Sequence, residues 1–364
     1  MKQILGGPIL TPTGWLQEGS ILVEKNTIVD VLGSAQHIEG AEVVDAQGQH
    51  IVPGGIDLHF HGGGGADFQE TTPEAFHTVL ETHHRHGTTA FLPTLASSSR
   101  EMIEAAAQTC QRLMETDPSI LGLHLEGPYL NPAMTGGQDP RYVRLPDPDE
   151  YRELIDRYPC IRRWDAAPEL PGAMEFGRYA SDHGILVGLA HTQADYDTVS
   201  QAYDHGYTHA THFYNAMTAV HKRGMYKSEG TVEAVYLIPD MTVEVIADGI
   251  HVPPAILRLI HSIKGTERTC LVTDAMACTD SDSTQAFDPR VVIENGVCIL
   301  SDHSALAGSI ATMDRLLRSM TQQAGIPLED AVRMTSETPA CLLGIGSRKG
   351  SIQPGKDADI IFVP

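Results

Sequence analysis

The sequence has no long apolar stretch. None of its 364 residues lies in an uninterrupted apolar run that approaches the roughly 18 residues needed to cross a membrane. The first residues also lack the long apolar core of a secretion signal. We therefore expect no membrane partner, and we expect the protein to work in the cytoplasm.

Basic residues are scarce. The chain has 25 lysines and arginines against 47 aspartates and glutamates, which gives a formal net charge of -22. Nucleic acid and anionic membranes are bound through basic patches, so we expect neither as a partner. A small anionic ligand remains compatible with this charge. Charges farther apart than about 8 Å are largely screened, and a few local cations suffice to hold a phosphate.

Cysteine is also rare. The six cysteines are Cys110, Cys160, Cys270, Cys278, Cys298 and Cys341. They are far apart and form no Cys-x-x-Cys pair, which argues against a disulfide framework and against a zinc ribbon. We expect these thiols to be reduced and mostly buried.

The two ends of the chain share a β-rich pattern. Short strands and turns are predicted at residues 19–23, 26–32 and 41–46, and residues 350–364 have the same character. We therefore predict one small discontinuous β-domain built from residues 1–52 and 345–364.

Between these ends, short apolar strands alternate with helix-sized segments, as is typical of parallel α/β structures. Eight strand candidates cover residues 55–61, 88–94, 121–126, 163–168, 186–191, 209–215, 242–248 and 270–274. Helices are predicted over 73–86, 100–116, 147–158, 173–183, 196–205, 231–237, 253–263, 309–324 and 328–343, and a hairpin over 291–300. This pattern predicts a (β/α)8 TIM-like barrel over residues 53–344, with its active site where the strands end.

A His-x-His pair ends the first barrel strand. In an extended strand His59 and His61 point the same way, whereas Leu58 and Phe60 point the other way. Two imidazoles on one side of a strand end are typical of half a metal site. Taken alone, they could equally be two histidines packed at a sheet edge.

Other strand ends carry metal-binding side chains as well. The full candidate set is His59, His61, Glu126, His191, His212 and Asp274. Nitrogen ligands mixed with carboxylates suit zinc or another first-row divalent ion, iron included. Any single member could be a core residue satisfied by hydrogen bonds. Their shared position at the same end of separate strands is hard to explain by core packing, so we predict a metal centre.

Several other histidines are not assigned to this centre. His209 and His212 lie three residues apart on one strand and so face opposite sides. We assign His212, which is nearer the strand end, and expect His209 to be structural. His83, His84 and His86 are predicted to lie on the exposed part of a helix.

Asp274 ends the eighth strand candidate. A carboxylate beside a metal centre can accept a proton from the attacking water and deliver it to a leaving group. We therefore predict Asp274 to be catalytic as well as a metal ligand. The alternative is an aspartate that caps the following turn.

Seven motifs occur in one order along the chain. They are the His-x-His pair, LHLEGP (123–128), AH (190–191), THFYNAM (211–217), ADGIH (247–251), VTDA (272–275) and LAGS (306–309). In this combination the chain resembles the N-acetylglucosamine-6-phosphate deacetylase family of the amidohydrolase superfamily. The resemblance runs from about residue 19 to the end. It implies a metal-dependent barrel with a small β-sandwich, usually a homodimer, that removes acetate from an amino-sugar phosphate.

The resemblance also implies a ligand arrangement of one or two ions per subunit. Glu126, His191 and His212 would hold one ion. His59, His61, Glu126 and Asp274 would surround a second. Many superfamily relatives bridge two metals with a carboxylated lysine, but this chain has no lysine between Lys25 and Lys222. Glu126 would therefore supply the bridging carboxylate.

A substrate site follows from the same resemblance. Asn215, Ala216, Leu306 and Ala307 would contact the sugar and phosphate, and His251 would meet the phosphate region. Arg223 would reach the phosphate bound in the neighbouring subunit of a homodimer, and a guanidinium suits phosphate. Without the family argument, Arg223 could be a solvated loop charge.

The chain departs from the family pattern at Gln138, where many members have a histidine close to the acetyl carbonyl. An amide N–H can still donate to a developing oxyanion. A second departure, residues 224–230 after Arg223, leaves the sugar preference open.

The function expected from this resemblance is hydrolysis of N-acetylglucosamine 6-phosphate to glucosamine 6-phosphate and acetate. One alternative is an amidohydrolase that acts on another amide, such as N-acetylgalactosamine 6-phosphate. The other is a catalytically silent barrel that serves as a binding subunit.

Overall fold

The computed structural model describes residues 1–282 and 287–364, and its strands and helices alternate through the middle of the chain. The strands are β1 (Lys2–Leu5), β2 (Ile9–Thr11), β3 (Gly14–Leu16), β4 (Ser20–Glu24), β5 (Thr27–Leu32), β6 (Glu42–Asp45), β7 (His50–Pro53), β8 (Gly55–Asp57), β9 (Gly62–Gly63), β10 (Ala66–Asp67), β11 (Thr88–Phe91), β12 (Thr94–Leu95), β13 (Leu123–Glu126), β14 (Ile161–Ala166), β15 (Leu186–Leu189), β16 (Tyr207–Ala210), β17 (His221–Arg223), β18 (Tyr226–Ser228), β19 (Thr242–Ile246), β20 (Thr269–Val272), β21 (Val291–Glu294), β22 (Val297–Leu300) and β23 (Ile360–Val363). The α-helices are α1 (Pro73–His84), α2 (Arg100–Met114), α3 (Pro148–Arg157), α4 (Ala173–Asp182), α5 (Tyr196–Tyr203), α6 (Thr231–Leu237), α7 (Pro254–Lys264), α8 (Met313–Arg318), α9 (Leu328–Thr335) and α10 (Glu337–Leu342).

Parallel strands form the barrel. One seven-stranded sheet has the order β12-β13-β14-β15-β16-β19-β20, and β8 pairs in parallel with β11, which leads into β12. The ring closes just beyond the strand ends. There the backbone N–H of Asp274 donates to the His59 carbonyl at 2.9 Å, and the N–H of His61 donates to the Ala275 carbonyl at 2.8 Å. This is the predicted barrel, and its eighth strand lies beside its first.

The helices cover the outside of the barrel. Side chains of Thr72, Ser99 and Asp195 accept backbone N–H groups at the start of α1, α2 and α5, which satisfies donors that a helix leaves unpaired. The predicted helices at 147–158 and 231–237 are confirmed as α3 and α6. No helix in the described part of the chain combines the length and apolar character that a membrane crossing requires.

The ends of the chain form two four-stranded sheets, with the orders β5-β4-β1-β6 and β23-β7-β2-β3. The C-terminal strand β23 runs antiparallel to β7, from Ile360 opposite Pro53 to Val363 opposite His50. Isoleucines of both sheets, together with Ile352, share one hydrophobic cluster. The last strand of the chain is therefore hydrogen-bonded to β7, the strand that precedes the barrel.

Antiparallel hairpins interrupt the alternation of strands and helices in the second half of the barrel segment. The predicted hairpin is confirmed as β21 and β22, and its turn residues Asn295 and Gly296 have φ angles of 52° and 75°, the left-handed region that such a turn requires. The second hairpin, β17 and β18, carries Arg223.

The helix predicted over 309–324 begins only at Met313. The Ser309 hydroxyl donates to the Thr273 carbonyl at 2.5 Å, and the Ser309 N–H donates to the Asp274 carbonyl at 2.7 Å. These bonds keep the segment before α8 attached to the end of the eighth barrel strand.

Candidate active site

Three of the predicted ligands meet where β13, β15 and β16 end. Glu126 Oε1 lies 3.1 Å from His191 Nε2 and 3.0 Å from His212 Nε2, and the two nitrogens are 3.1 Å apart. All three residues are buried. His191 and His212 each sit two residues past a strand end with φ angles of 47° and 29°, a strained backbone region that often occurs at functional sites.

The other predicted ligands form a second group that shares Glu126. His59 Nε2 and His61 Nε2 are 3.3 Å apart, so the pair does face one way. Glu126 Oε2 lies 3.3 Å from His61 Nε2, and Asp274 Oδ1 lies 3.2 Å from it. The two sets His59–His61–Glu126 and Glu126–His191–His212 each have the spacing that a metal ion requires. The structure thus brings all six predicted ligands together.

The hydrogen bonds of these histidines show that the donor set suits a cation. His59 Nδ1 lies 2.6 Å from Glu244 Oε1, and His191 Nδ1 lies 2.8 Å from the Met134 carbonyl oxygen. Neither acceptor carries a hydrogen, so each Nδ1 must carry one. In the neutral imidazole the Nε2 lone pair then points into the cluster, towards carboxylate oxygens. Lone pairs and negative charges that converge in this way fit a divalent metal.

The electrostatics of the group agree with this reading. Burial disfavours a charged His61, yet the carboxylates of Asp274 and Glu126 outweigh burial and raise its pKa to about 9. Burial also opposes an ionised Glu126, but the imidazoles around it hold its pKa well below the usual range. Two ionised carboxylates that stabilise a positive charge on His61 in this way also attract a metal cation.

A buried network that the sequence motifs do not predict lies directly beneath the ligands. Arg163 pairs with Glu244 through Nη1 and with Asp165 through Nη2 at 2.7 Å. His124 Nε2 lies 2.8 Å from Asp165 Oδ2. His59, His124 and Asp165 also have metal-like spacing, but the Arg163 guanidinium already neutralises Asp165. The signal was present in the sequence, since these charged residues interrupt apolar barrel strands.

Gln138 lies beside the predicted metal ligands. Its amide N–H donates to Glu126 Oε2 at 2.5 Å, and its carbonyl oxygen accepts the backbone N–H of Ser97 at 2.7 Å. From the sequence, this amide is predicted to face the substrate. In the structure one of its two N–H bonds is directed to a metal ligand, so Gln138 also fixes the orientation of Glu126.

A cavity of about 450 Å³ opens above the predicted metal ligands. Its lining includes the predicted substrate residues Gln138, Asn215, Ala216, His251, Leu306 and Ala307. The N–H of Ala307 is already donated to the Cys298 carbonyl at 3.1 Å. His251 Nδ1 lies 2.8 Å from Asp248 Oδ2, and its Nε2 has no hydrogen-bond partner within the described residues. A volume of this size suits a small ligand.

The described lining of the cavity is acidic. Among the described residues that line it, none is lysine or arginine, whereas Asp67, Asp139 and Asp288 are present. Arg223 lies outside the cavity, exposed on the β17–β18 hairpin. Within one chain, the structure therefore does not bring Arg223 together with the other predicted site residues.

His209 and His83 do not belong to the group of predicted metal ligands. His209 is buried and bonded to Thr242 Oγ1 at 2.7 Å, which agrees with the structural role expected of it. The expectation of an exposed His83 is wrong. This residue is fully buried, with Nε2 2.9 Å from the Gly62 carbonyl oxygen, because α1 packs its last turn against the glycine-rich loop after His61.

The cysteines behave as expected. All six are free, and only Cys341 among them is exposed. Cys278 Sγ and Cys298 Sγ lie 3.2 Å apart beside the cavity lining.

Comparison with known proteins places these features in a family. Residues 50–364 match the amidohydrolase family. N-acetylglucosamine-6-phosphate deacetylase from Haemophilus influenzae is 31% identical over 366 residues, which cover 98% of this chain and 93% of that protein. N-acetylgalactosamine-6-phosphate deacetylase from Shewanella sp. is 33% identical over 317 residues, which cover 86% of this chain and 79% of that protein.

A solved structure adds to these matches. A mutant of N-acetyl-D-glucosamine-6-phosphate deacetylase from Mycobacterium smegmatis, in complex with N-acetyl-D-glucosamine-6-phosphate, superimposes with a TM-score of 0.92. It is 31% identical, and the match covers 99% of this chain and 94% of that one. Such neighbours imply the TIM-like barrel, and the family implies a divalent metal, in agreement with the donor sets above. The chain therefore belongs to the amidohydrolase family and, within it, to the N-acetylglucosamine-6-phosphate deacetylases and their relatives.

Proposed function

We propose that the protein hydrolyses the acetamide of N-acetylglucosamine 6-phosphate, releasing acetate and glucosamine 6-phosphate. One observation carries the proposal. Asp274 Oδ1 lies 3.2 Å from His61 Nε2, in the same buried cluster as Glu126, His191 and His212, at the base of a cavity of about 450 Å³. A general base next to a metal centre under a ligand cavity is the arrangement that amide hydrolysis requires.

Two ions are proposed. Glu126, His191 and His212 would hold the first, and His59, His61, Glu126 and Asp274 would hold the second. Zinc is the proposed metal because nitrogen and carboxylate ligands suit it, with iron or another first-row ion as the alternative. A bound divalent ion supplies Lewis acidity, which makes water more acidic and polarises a carbonyl.

Asp274 performs the proton transfers in this proposal. Burial opposes its ionisation, but the imidazoles of His59 and His61 lower its pKa, so it is available as a base. It accepts a proton from the water whose oxygen attacks the acetyl carbon. It then delivers that proton to the sugar nitrogen as the C–N bond breaks and acetate leaves. The second amide N–H of Gln138 is the proposed donor to the developing oxyanion.

The phosphate site is proposed to be completed by a second subunit. A phosphate group needs a cationic partner, yet the described cavity lining offers only histidines and no lysine or arginine. Arg223 is exposed on a hairpin together with Lys222 and Lys227. In a homodimer this hairpin would extend into the neighbouring cavity and place Arg223 on the phosphate. His251 Nε2 would add a contact from within the chain.

Domain limits and location complete the proposal. We assign residues 1–52 and 345–364 to one small β-sandwich domain and residues 53–344 to the catalytic barrel. Support comes from the cluster that the two terminal sheets share. A cytoplasmic location accords with six free cysteines, since thiols stay reduced there.

The proposed function is tested by metal analysis combined with acetate release. The purified protein, loaded with zinc, is assayed on N-acetylglucosamine 6-phosphate and on unphosphorylated N-acetylglucosamine. We expect efficient release from the first and loss of most of the catalytic efficiency on the second. Metal-loaded protein without acetate release on either sugar would contradict the proposal.

The second candidate substrate is N-acetylgalactosamine 6-phosphate. The 33% identity to the Shewanella enzyme supports it, and so does the unusual segment 224–230 in the hairpin that carries Arg223. The two epimers are compared by kcat/KM under identical conditions. A higher value for the galacto epimer would reassign the substrate and leave the hydrolysis unchanged.

A further inference from the structure

We propose that Glu244 is a positioning residue that enables the second ligand group, the one that contains His59 and His61, to hold an ion. The inference rests on the proposed function, because it concerns the second of the two proposed ions. Glu244 lies in the middle of β19 and is fully buried. It touches no predicted substrate residue and acts only through the ligands.

One carboxylate oxygen contacts a ligand from each metal group. Glu244 Oε1 accepts the Nδ1–H of His59 at 2.6 Å and the backbone N–H of His212 at 3.0 Å. The first bond sets the tautomer of His59, since a hydrogen on Nδ1 leaves the Nε2 lone pair free for a metal. The second bond holds the turn that carries His212.

The other oxygen anchors the carboxylate. Glu244 Oε2 pairs with Arg163 Nη1 and lies 3.4 Å from His209 Nε2. Arg163 also donates to the Leu58 carbonyl at 3.3 Å, next to His59 in the chain, and is itself held by Asp165. Because Arg163 can only donate, this side of residue 244 must present an acceptor.

These constraints predict the effect of replacing the carboxylate by an amide. In Glu244→Gln the amide oxygen must face Arg163, so the NH2 group faces His59. Nδ1 of His59 then becomes an acceptor, and the ring hydrogen moves to Nε2, where it points into the second metal group. The turn at His212 keeps a further backbone bond, because the Phe213 N–H donates to the Glu244 carbonyl oxygen at 2.8 Å whatever the side chain. The loss of metal affinity therefore falls on the ligand group that contains His59.

Zinc binding to the 364-residue protein tests the inference. Metal is removed with a chelator, and zinc stoichiometry and dissociation constants are measured by calorimetry and by metal analysis after dialysis. We expect two ions in the unaltered protein. In Glu244→Gln we expect the second ion to bind about 10- to 100-fold more weakly, with the first little changed. Manganese spin coupling, read by electron paramagnetic resonance, should report the loss of the paired ions independently of activity.

A matched control separates positioning from general damage. His209→Asn removes a neighbour in the same buried network that contacts no predicted ligand. It should retain both ions. If Glu244→Gln does not fold, Glu244→Asp keeps the charge beside Arg163 but withdraws the oxygen from His59, and the same selective loss is expected.

The outcomes distinguish the inference from the function beneath it. If the unaltered protein binds two ions and folded Glu244→Gln binds both with unchanged affinity, the inference is wrong and the proposed function stands. Equal weakening of both ions, or the same loss in His209→Asn, also overturns it. An unaltered protein that never takes up a second ion refutes the two-ion proposal and the inference with it.

Discussion

Removing Arg223 should affect only the phosphorylated substrate. Arg223 lies on the exposed β17–β18 hairpin, and no described lysine or arginine lines the cavity that would need it. A hydrogen bond to a charged group contributes about 1.5–3 kcal/mol. Arg223→Ala should therefore lower kcat/KM for N-acetylglucosamine 6-phosphate by about 10- to 150-fold. Activity on unphosphorylated N-acetylglucosamine should not change.

The same hairpin offers a matched control. Lys222→Ala removes the adjacent exposed cation, whose partner across the hairpin is Lys227. It should leave kcat/KM for both substrates within about twofold of the values of the unaltered enzyme, since an exposed charge contributes little when it makes no specific contact. An equal loss in Lys222→Ala would show that the hairpin acts through its general charge, and the specific role of Arg223 would be refuted.

Complementation tests whether the contact crosses a subunit boundary. Subunits with Arg223→Ala and subunits with Asp274→Asn are co-expressed with different tags, and the mixed dimers are isolated. In a mixed dimer one site has Asp274 from its own chain and Arg223 from its partner, so half of its sites are intact. An unsorted equimolar mixture should regain about one quarter of the full turnover, because half of a random dimer population is mixed. Mixed dimers as inactive as either parent would refute the contact in trans.

Four further changes have definite expected results. Asp274→Asn should retain the fold and ligand binding but lower kcat by about 10²- to 10⁴-fold, as measured by acetate release, since it removes the proposed general base; near-normal turnover would contradict that role. Gln138→Leu, nearly isosteric, removes the bonds to Glu126 and Ser97 and should weaken zinc binding by about 10- to 100-fold in calorimetry. Lys264→Met removes three bonds from Nζ to the carbonyls of Val235, Ile238 and Met241, at 2.7, 2.8 and 2.9 Å, and should lower the free energy of unfolding by about 2–3 kcal/mol in urea titrations. Burial lowers the pKa of His83 to about 4, and the nearest titratable groups are His86 and Asp280. The unfolded chain therefore binds a proton at this histidine before the folded chain does as the pH falls from 6.5 to 4, and up to about 3 kcal/mol of the free energy of unfolding should be lost across that range. His83→Gln should lose less stability than the unaltered protein when urea titrations at pH 7 and pH 4.5 are compared.

The ligands could be predicted because their signal is local. Each follows a short apolar strand, and parallel strand ends meet on one face of a barrel. Glu126, His191, His212 and Asp274 were identified in this way, although three of the four lie two residues past the strand that the structure assigns. The Asn295–Gly296 hairpin was equally local.

What the sequence pattern did not predict depends on distant partners. The partner of Glu244, Arg163, is 81 residues away, and only the strand order places them together. The orientation of Gln138 is set by Ser97, 41 residues earlier. His83 was predicted to be exposed together with His84 and His86, and the loop that covers it comes from the residues after His61. None of these pairings has a periodic signature.

The charged layer beneath the metal ligands is better explained by orientation than by stability. Arg163, Asp165 and Glu244 are fully buried, and removing such groups from water costs several kcal/mol per ion, which their attraction barely offsets. Apolar residues of similar volume would stabilise a barrel interior at least as well, and that is what a packed barrel normally contains. They could not direct the lone pair of His59 or hold the turn of His212. A charged residue at an inward position of a barrel strand, one layer below a candidate ligand, is therefore itself a signal that the ligand above it must be oriented.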